Sequence, residues 1–379
     1  MNVKLWAGVA AIMVILTGTG LYMSSETPND GTMVVTAAVN TDGSGIFGSS
    51  SITIEKIDDK WTQTGLGGKT IATPGPTSIQ HMMLQDLVEN ELGLGFVIAS
   101  TSGTKNMDTV YWVQLGVGAM KESYKGGAID GGILWEPNFS DTINTLRENG
   151  TDPAVSIVTS HQLSPGHTCC VIAFNRDYAQ AHGDDVIRFL TAYVEVVTWM
   201  QSAMSNKSSP EYAALVGYAE TFTNKSNAVV EASFKEVVYK YELTTTKSDI
   251  IDMTKTYAST GLVNNTVQDL GFVNESAFAD WLVNDTYLNT AKTRNASYYT
   301  NAPQMTITMA HLVEDIHQLA LFVGSDGALG TFSAYNITIN KLTPFSAGGP
   351  VADALIRGDA NIGFLGAPPV VQKTINMGR

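Results

Sequence analysis

The stretch from Gly348 to Pro369, GGPVADALIRGDANIGFLGAPP, constrains the fold more than any other. Val351, Ala354, Leu355 and Ile356 are spaced as the apolar stripe of a short helix, and Arg357-Gly358-Asp359 stops it. Asn361 to Leu365 is then an apolar run of strand length, broken by Gly366-Ala367-Pro368-Pro369. Helix, turn, buried strand and Gly/Pro loop make half of an α/β unit. The segment from Gly118 to Pro137 repeats that order, with a helix to Gly126-Gly127, a strand ending at Trp135, and a loop opened by Glu136-Pro137. Two α/β bodies facing one another become the working expectation. In open α/β sheets, ligands gather at the carboxyl ends of strands.

Length permits this, since 379 residues suffice for two domains. A hydrophobic content of 44% with 15% charged residues belongs to a packed protein. The net charge of −14 argues against a nucleic-acid partner, which needs a basic face. Residues 1–25 stand apart: Lys4 precedes an apolar run from Leu5 to Leu16, then Thr17 to Gly20 and Leu21-Tyr22-Met23. This reads as a signal peptide or an uncleaved membrane anchor. No cysteine follows closely enough for a lipid anchor. Asn-x-Ser/Thr acceptors begin at Asn138, Asn149, Asn206, Asn224, Asn264, Asn274, Asn284, Asn295 and Asn336, which suits an exported glycoprotein or chance in an Asn-rich chain. Cys169 and Cys170 are adjacent in a buried-looking strand and read as two small core residues.

Along the chain, Met33–Val39 reads as a strand, and Asn40 to Gly45 as a turn leaving it. Lys69–Thr73 is a strand, Pro74-Gly75-Pro76 ends it, and Thr77 or Ser78 caps a helix through Val88. Strands are expected at 110–115 and 155–158, and a helix at 141–148. The loop 161–166 is a candidate crossing between the two bodies, and 168–174 a buried strand. Helices are expected at 184–204, 210–222, 233–241, 247–257 and 275–282. Residues 285–303 are rich in Asn, Thr and Tyr without an apolar period and read as a linker. Met305–Ala310 alternates as a strand, 311–322 is loop and helix, and 337–339 another strand.

Taken together, DIHQLALFVG (315–324) and GGPVADALIRGDANIGFLGAPPVVQKTIN (348–376) resemble the amino-terminal lobe of periplasmic-type substrate-binding proteins. The group is that of ABC importers for nitrate, sulfonate, taurine and bicarbonate, with their thiamine-pyrimidine relatives. GGKTIATPGPTSIQHMMLQDLV (67–88) and GGAIDGGILWEPN (126–138) are similar to the second lobe. The resemblance covers most of residues 33–379. It implies an α/β, two-lobed, periplasmic-binding-protein-like fold of type II, each lobe a mixed sheet flanked by helices, with the ligand cleft between them. Lobe I would hold residues 33–64 and 167–379, with 285–303 as linker, and lobe II residues 65–166. The order departs from the family pattern, because the segment that comes first there lies at 305–379 here. Joining Arg379 to Thr32 restores it, so the chain resembles a circular permutant.

The implied activity is extracytoplasmic capture of a small polar or anionic solute by lobe closure. The partners would be the solute, an ABC permease and its ATPase, and the membrane through residues 1–25 if these are retained. No cofactor is implied. Helix starts at Thr77-Ser78 and at Ser346, Gly348 and Gly349 offer backbone N–H groups to an oxygen-rich ligand. Gly366, Ala367, Pro368 and Asn40, with Ser44 beyond it, are expected on the cleft floor. Trp135 would form an aromatic wall, and Glu136 would accept from an amine or hydroxyl. His311, Asp315, His317 and Gln318 follow the first strand, where the resemblance places the ligand. The spacing of the two histidines misses the i, i+4 geometry of a helical zinc pair, so no metal is expected. Asp315 with Glu136 favours a taurine-like zwitterion or an amino-pyrimidine over bare nitrate. A binder of thiamine-precursor pyrimidine and an anchored sensory ectodomain stay open as alternatives. No Gly-x-Ser-x-Gly, His-Glu-x-x-His or Gly-x-x-x-x-Gly-Lys occurs, nor the cysteine-rich motif of the pyrimidine synthases, so no enzyme is expected.

Overall fold

The computed structural model describes residues 32–100, 104–146, 153–325 and 327–377. The expected signal peptide or anchor at 1–25, the acceptor Asn149 and the terminal Arg379 lie outside them. Two strands open the described chain, β1 (Met33–Asp42) and β2 (Ser44–Ser49), with Gly43 alone between them. A hairpin follows, β3 (Thr53–Ile57) and β4 (Lys60–Thr64). Then come β5 (Thr70–Thr73), β6 (Gly95–Ile98), β7 (Thr109–Gln114), β8 (Gly131–Trp135) and β9 (Ala154–Thr159). The last five are β10 (Thr168–Asn175), β11 (Val237–Tyr239), β12 (Met305–Ala310), β13 (Ile337–Lys341) and β14 (Ile362–Gly366).

These strands make two six-stranded sheets, β11-β1-β10-β14-β12-β13 and β6-β7-β5-β8-β2-β9. In each, a parallel run meets antiparallel strands at one side. The two stretches singled out in the sequence take equivalent places. β14 ends the parallel run of the first sheet and pairs antiparallel with β10; β8 ends that of the second and pairs antiparallel with β2. Both antiparallel partners arrive from the opposite half, since β1 runs directly into β2 and β9 returns through residues 160–167 to β10. Asp42, at the end of β1, ties the two crossings together. Its carboxylate accepts from Gly166 N at 3.0 Å and lies 3.2 Å from a ring nitrogen of both His161 and His167.

Four readings change. Asn40 to Gly45 is no turn: β1 continues to Asp42, and the chain crosses to the other sheet at Gly43, whose φ is +88°. Residues 44–64, grouped by sequence with the first half, therefore bring β2 into the second sheet. Within 233–241, Val237–Tyr239 is a strand, because it pairs antiparallel with Asn40–Asp42 at the sheet edge; the helix there is Asn227–Ser233. Residues 285–303 hold a helix, Thr286–Ala291, and a 3-10 turn, Ala296–Tyr299, rather than a bare linker. Leu288, Ala291 and Tyr299 bury against the first half's core, and Arg188 donates to Pro303 O at 2.7 Å.

Local chemistry explains the elements that sequence places well. Ser209 caps the helix Pro210–Thr223 by accepting from Tyr212 N at 3.0 Å, and Pro210 fits the first turn where no N–H is needed. Asn274 caps Glu275–Leu282 in the same way. The core of the first half is continuous: Phe189, Tyr193 and Phe364 meet edge-on and stacked beneath the sheet. Each such fully buried aromatic or aliphatic side chain stabilises by about 1.5–3 kcal/mol. The second sheet carries two smaller clusters, one around Leu84, Val110 and Ile133, the other around Phe47, Met120 and Leu134. Among the described residues, no helix is long and apolar enough to cross a membrane.

Candidate functional site

The parallel strands aim their carboxyl ends at one another, and the loops leaving them meet. A cavity of about 30 Å³ lies between, lined by Thr77, Ser78, Ile79 and Gln80 after β5, Trp135 at the end of β8, Cys169 and Cys170 in β10, and Leu312, Asp315 and His317 after β12. Gly348, Gly366 and Pro369 complete it. That volume holds a water or two, or one ion, but no taurine-sized solute in this conformation. A larger cavity, of about 210 Å³, lies beyond the helix Ile79–Asp86, walled by Trp61, Leu163 and three methionines, Met82, Met83 and Met253. We take the smaller as the candidate site because buried titratable groups converge there.

Two helix starts face this cavity. Ser78 caps Ile79–Asp86 by accepting from His81 N at 3.1 Å, while its own hydroxyl donates to Gly75 O at 2.8 Å. Its side chain is thus occupied in capping, and the first-turn N–H groups are what this helix offers. The helix Gly348–Ile356 starts after Ala347 without a side-chain cap. The halves touch closely here: a Cβ on Gly349 would stand 3.3 Å from Thr77 Oγ1, and Gln372 donates to Pro76 O across the divide at 3.3 Å.

The loop after β12 carries the charges. Asp315 Oδ1 accepts from His317 N at 3.1 Å and lies 3.2 Å from His317 Nδ1. Gln318 braces the loop: its Oε1 accepts from Leu312 N at 2.9 Å, and its Nε2 donates to Phe364 O at 3.0 Å and to Asp315 Oδ2 at 3.3 Å. His317 Nε2 donates to Gly43 O at 3.0 Å, the same carbonyl that accepts from Glu136 N at 2.9 Å. Burial pushes the Asp315 carboxyl up to about 6 although the His317 charge opposes it. For His317, burial works downward, but Asp315 and the nearby Cys169 and Glu136 raise it to about 9. At neutral pH the two are therefore a buried ion pair.

Cys169 and Cys170, read from sequence as two small core residues, are buried in the core of the first half, and both also line the cavity, a role the sequence did not suggest. Asn40 faces Cys170 and Thr41 faces Thr168, so Cys169 is an extra, bulged residue in β10. The bulge turns two neighbouring side chains, which would otherwise point to opposite faces, toward the same cavity. Their sulfurs stand 3.8 Å apart as free thiols, and each is 3.9 Å from His317 Nδ1. The contact with Cys170 lowers the pKa of Cys169 despite burial, and that contact together with burial raises that of Cys170.

Of the expected site residues, the structure brings together Thr77, Ser78, Trp135, Asp315, His317, Gly348 and Gly366. Nine others stand back from the cavity wall. Glu136 is wholly buried, its oxygens accepting from Ser140 N at 3.1 Å, Ser140 Oγ at 2.7 Å and Ser233 Oγ at 2.9 Å. It joins the two halves instead of presenting an acceptor to the cavity. Ser44 accepts from Gln80 Nε2 at 2.9 Å, and its N–H donates to Ser160 Oγ at 3.1 Å, which fixes β2 just past the crossing. Asn40 is buried with Nδ2 on Thr41 O and Asp42 O, while its Oδ1 has no partner. His311 donates to Leu312 O at 2.9 Å, and Gln318 is the brace described above. Ser346, Gly349, Ala367 and Pro368 flank the residues that line the cavity. Trp135 is 6% exposed and its Nε1–H is without an acceptor.

A family model described as the NMT1-like family matches residues 6–217. The GDANIGFLGAPP stretch lies outside the matched segment. No curated protein matches significantly. Similar solved structures include the ligand-binding component of an ABC-type import system from Staphylococcus aureus, solved with zinc bound (14% identity, 69% of this chain and 74% of that one, TM-score 0.45). The periplasmic nitrate-binding protein NrtA from Synechocystis PCC 6803 aligns at 13% identity over 69% of this chain and 67% of its own, with TM-score 0.47. The desulfurization enzyme DSZB aligns at 12% identity over 70% of this chain and 80% of its own, with TM-score 0.44.

Proposed function

This chain belongs to the NMT1-like family, and from that premise we propose that it is an extracytoplasmic solute-binding protein serving an ABC importer. Two lobes, one built on each sheet, open and close about the crossings at Gly43 and residues 160–167. The closed form docks on a permease driven by its ATPase. The solute is small, polar or anionic, of the sulfonate, nitrate or bicarbonate kind.

One observation carries the reading: two helix starts, an unpaired indole N–H and a buried imidazolium converge on a cavity lined from both six-stranded sheets. N–H donors and a positive dipole end are what an oxyanion needs. The carboxylate of Asp315 beside them supports a ligand with a donor of its own, which favours a zwitterion or an amino-pyrimidine over nitrate. Element order supports a circular permutation. β14 and β1 both pair antiparallel with β10, so they run the same way, and the helix Ala367–Met377 after β14 is what a crossover to β1 would use.

Native mass spectrometry of the purified protein, followed by a thermal-shift panel of sulfonates, nitrate, bicarbonate and pyrimidines, tests the assignment. One class should raise Tm in proportion to the logarithm of its concentration. Trp135→Phe, which keeps the wall and deletes the N–H, should weaken that ligand about tenfold, and Asp315→Asn at least as much. Normal binding by both variants would place the ligand elsewhere, and no binding across the panel would end the solute reading.

A further inference from the structure

We propose that Cys169, Cys170 and His317 form a binding site for one thiophilic metal ion, zinc being the ordinary occupant, on the floor of the cavity. The inference rests on the solute-binding reading in one respect, because access for the ion needs the two halves to part.

The donor spacing is close to that of a loaded site. Two thiolates bound at about 2.3 Å to a tetrahedral ion stand about 3.8 Å apart, and a thiolate and an imidazole nitrogen about 3.6 Å. Here the sulfurs are 3.8 Å apart, and His317 Nδ1 is 3.9 Å from each. Among the described residues, this is the one group of three or more metal-ligating side chains whose donor atoms converge so closely. At 3.8 Å the sulfurs are two free thiols and not a disulfide, which would need about 2.05 Å.

The surroundings orient the ligands. The bulge at Cys169 sets both sulfurs on one side, whereas adjacent residues in a regular strand would not share an ion. His317 donates its Nε2–H to Gly43 O at 3.0 Å, which leaves Nδ1 as the ligating nitrogen once its proton is gone. A backbone carbonyl on the far ring nitrogen is the usual partner of a metal-bound histidine. Asp315, 3.2 Å from Nδ1 and itself held by Gln318, is the group that Nδ1–H leaves behind. On binding, the two thiols and the Nδ1–H release their protons to solvent, and three protein donors hold the ion. The fourth position faces the cavity, where Trp135 Nε1–H lacks an acceptor and a water or a solute oxygen fits.

The test uses the full-length protein, reduced and stripped with a chelator, titrated with Co²⁺ and then displaced by Zn²⁺. We expect one equivalent of Co²⁺ to give tetrahedral visible bands with a near-ultraviolet thiolate band, both erased by one equivalent of Zn²⁺. Cys169→Ser and Cys170→Ser should each halve the thiolate band and weaken Zn²⁺ at least 100-fold, and the double variant should abolish both signals. His317 also holds the buried pair, so its replacement is not needed: the cysteine variants remove sulfur alone, and circular dichroism checks that they fold. Absence of the thiolate band in wild type, or its survival in the folded double variant, overturns the site. Running the solute panel on metal-free protein separates the readings. A sulfonate that binds while cobalt does not refutes the metal site alone, and cobalt that binds while no solute does refutes the solute reading alone.

Discussion

Gly43→Ala should destabilise the protein by about 3 kcal/mol and weaken its ligand at the same time. Gly43 sits at φ +88°, where a side chain costs roughly 1–2 kcal/mol in backbone conformation alone. An added Cβ would also collide with His317 Nε2 and stand 2.8 Å from Val237 Cγ2. A ring free to turn would yield, but this one is fixed on one side by Gly43 O and on the other by Asp315. Moving the ring breaks the bond to the crossing, shifts Nδ1 from the two sulfurs, and unsettles the carbonyl shared with Glu136 N. Urea denaturation reads the stability, and isothermal titration reads the ligand. Gly127→Ala is the control: Gly127 has φ +70° with nothing near its would-be Cβ, so it carries the conformational cost without the collision. If Gly43→Ala behaves like Gly127→Ala, the clamp on the crossing is not what holds the site.

Much of this arrangement was legible because it is written locally. Ile362–Gly366 and Gly131–Trp135 are apolar runs bounded by Gly and Pro, and their likeness in sequence became equivalence in the sheets. Ser78 and Asn274 are caps whose side-chain chemistry acts within one turn. What stayed hidden depends on partners distant in sequence. The run Asn40-Thr41-Asp42-Gly43-Ser44-Gly45 has turn composition, yet β10 and β11 pair with its first part and β8 and β9 with its last. Tertiary pairing overrides local preference there. The cysteines read as core because neighbouring cysteines rarely bridge without strain, and core they are; their shared face on the cavity comes from a bulge, which leaves no mark in one sequence. Glu136 was expected in the cleft because it follows Trp135, but Ser140 and Ser233 claim its oxygens, and Ser233 lies almost a hundred positions away.

That claim makes Glu136 the source of the second large effect, a dependence of stability on pH that Glu136→Gln should remove. Burial raises this carboxyl from 4.5 to about 7, against the opposing pull of Ser140, Ser233 and the charge on His317. A raised folded-state pKa means that the folded protein keeps a proton the unfolded chain gives up. Its contribution is fully present below about 4.5 and lost as pH rises through about 7. Across that window the difference is roughly 3 kcal/mol, at 1.36 kcal/mol for each pH unit. In the metal-free protein, which is the form to measure, His317 stays charged to about 9 and the Tyr239 phenol, raised by burial, stays neutral across that window. Glutamine fits the same volume, accepts from Ser140 N, and donates to a serine oxygen whose hydroxyl can turn to suit. The stability of Glu136→Gln relative to wild type, measured by urea denaturation at pH 4.5, 6 and 8, should therefore improve by about 3 kcal/mol from the first to the last. A difference that does not change with pH would mean that Glu136 is charged throughout, and that the two halves are joined by a carboxylate and not by a carboxylic acid.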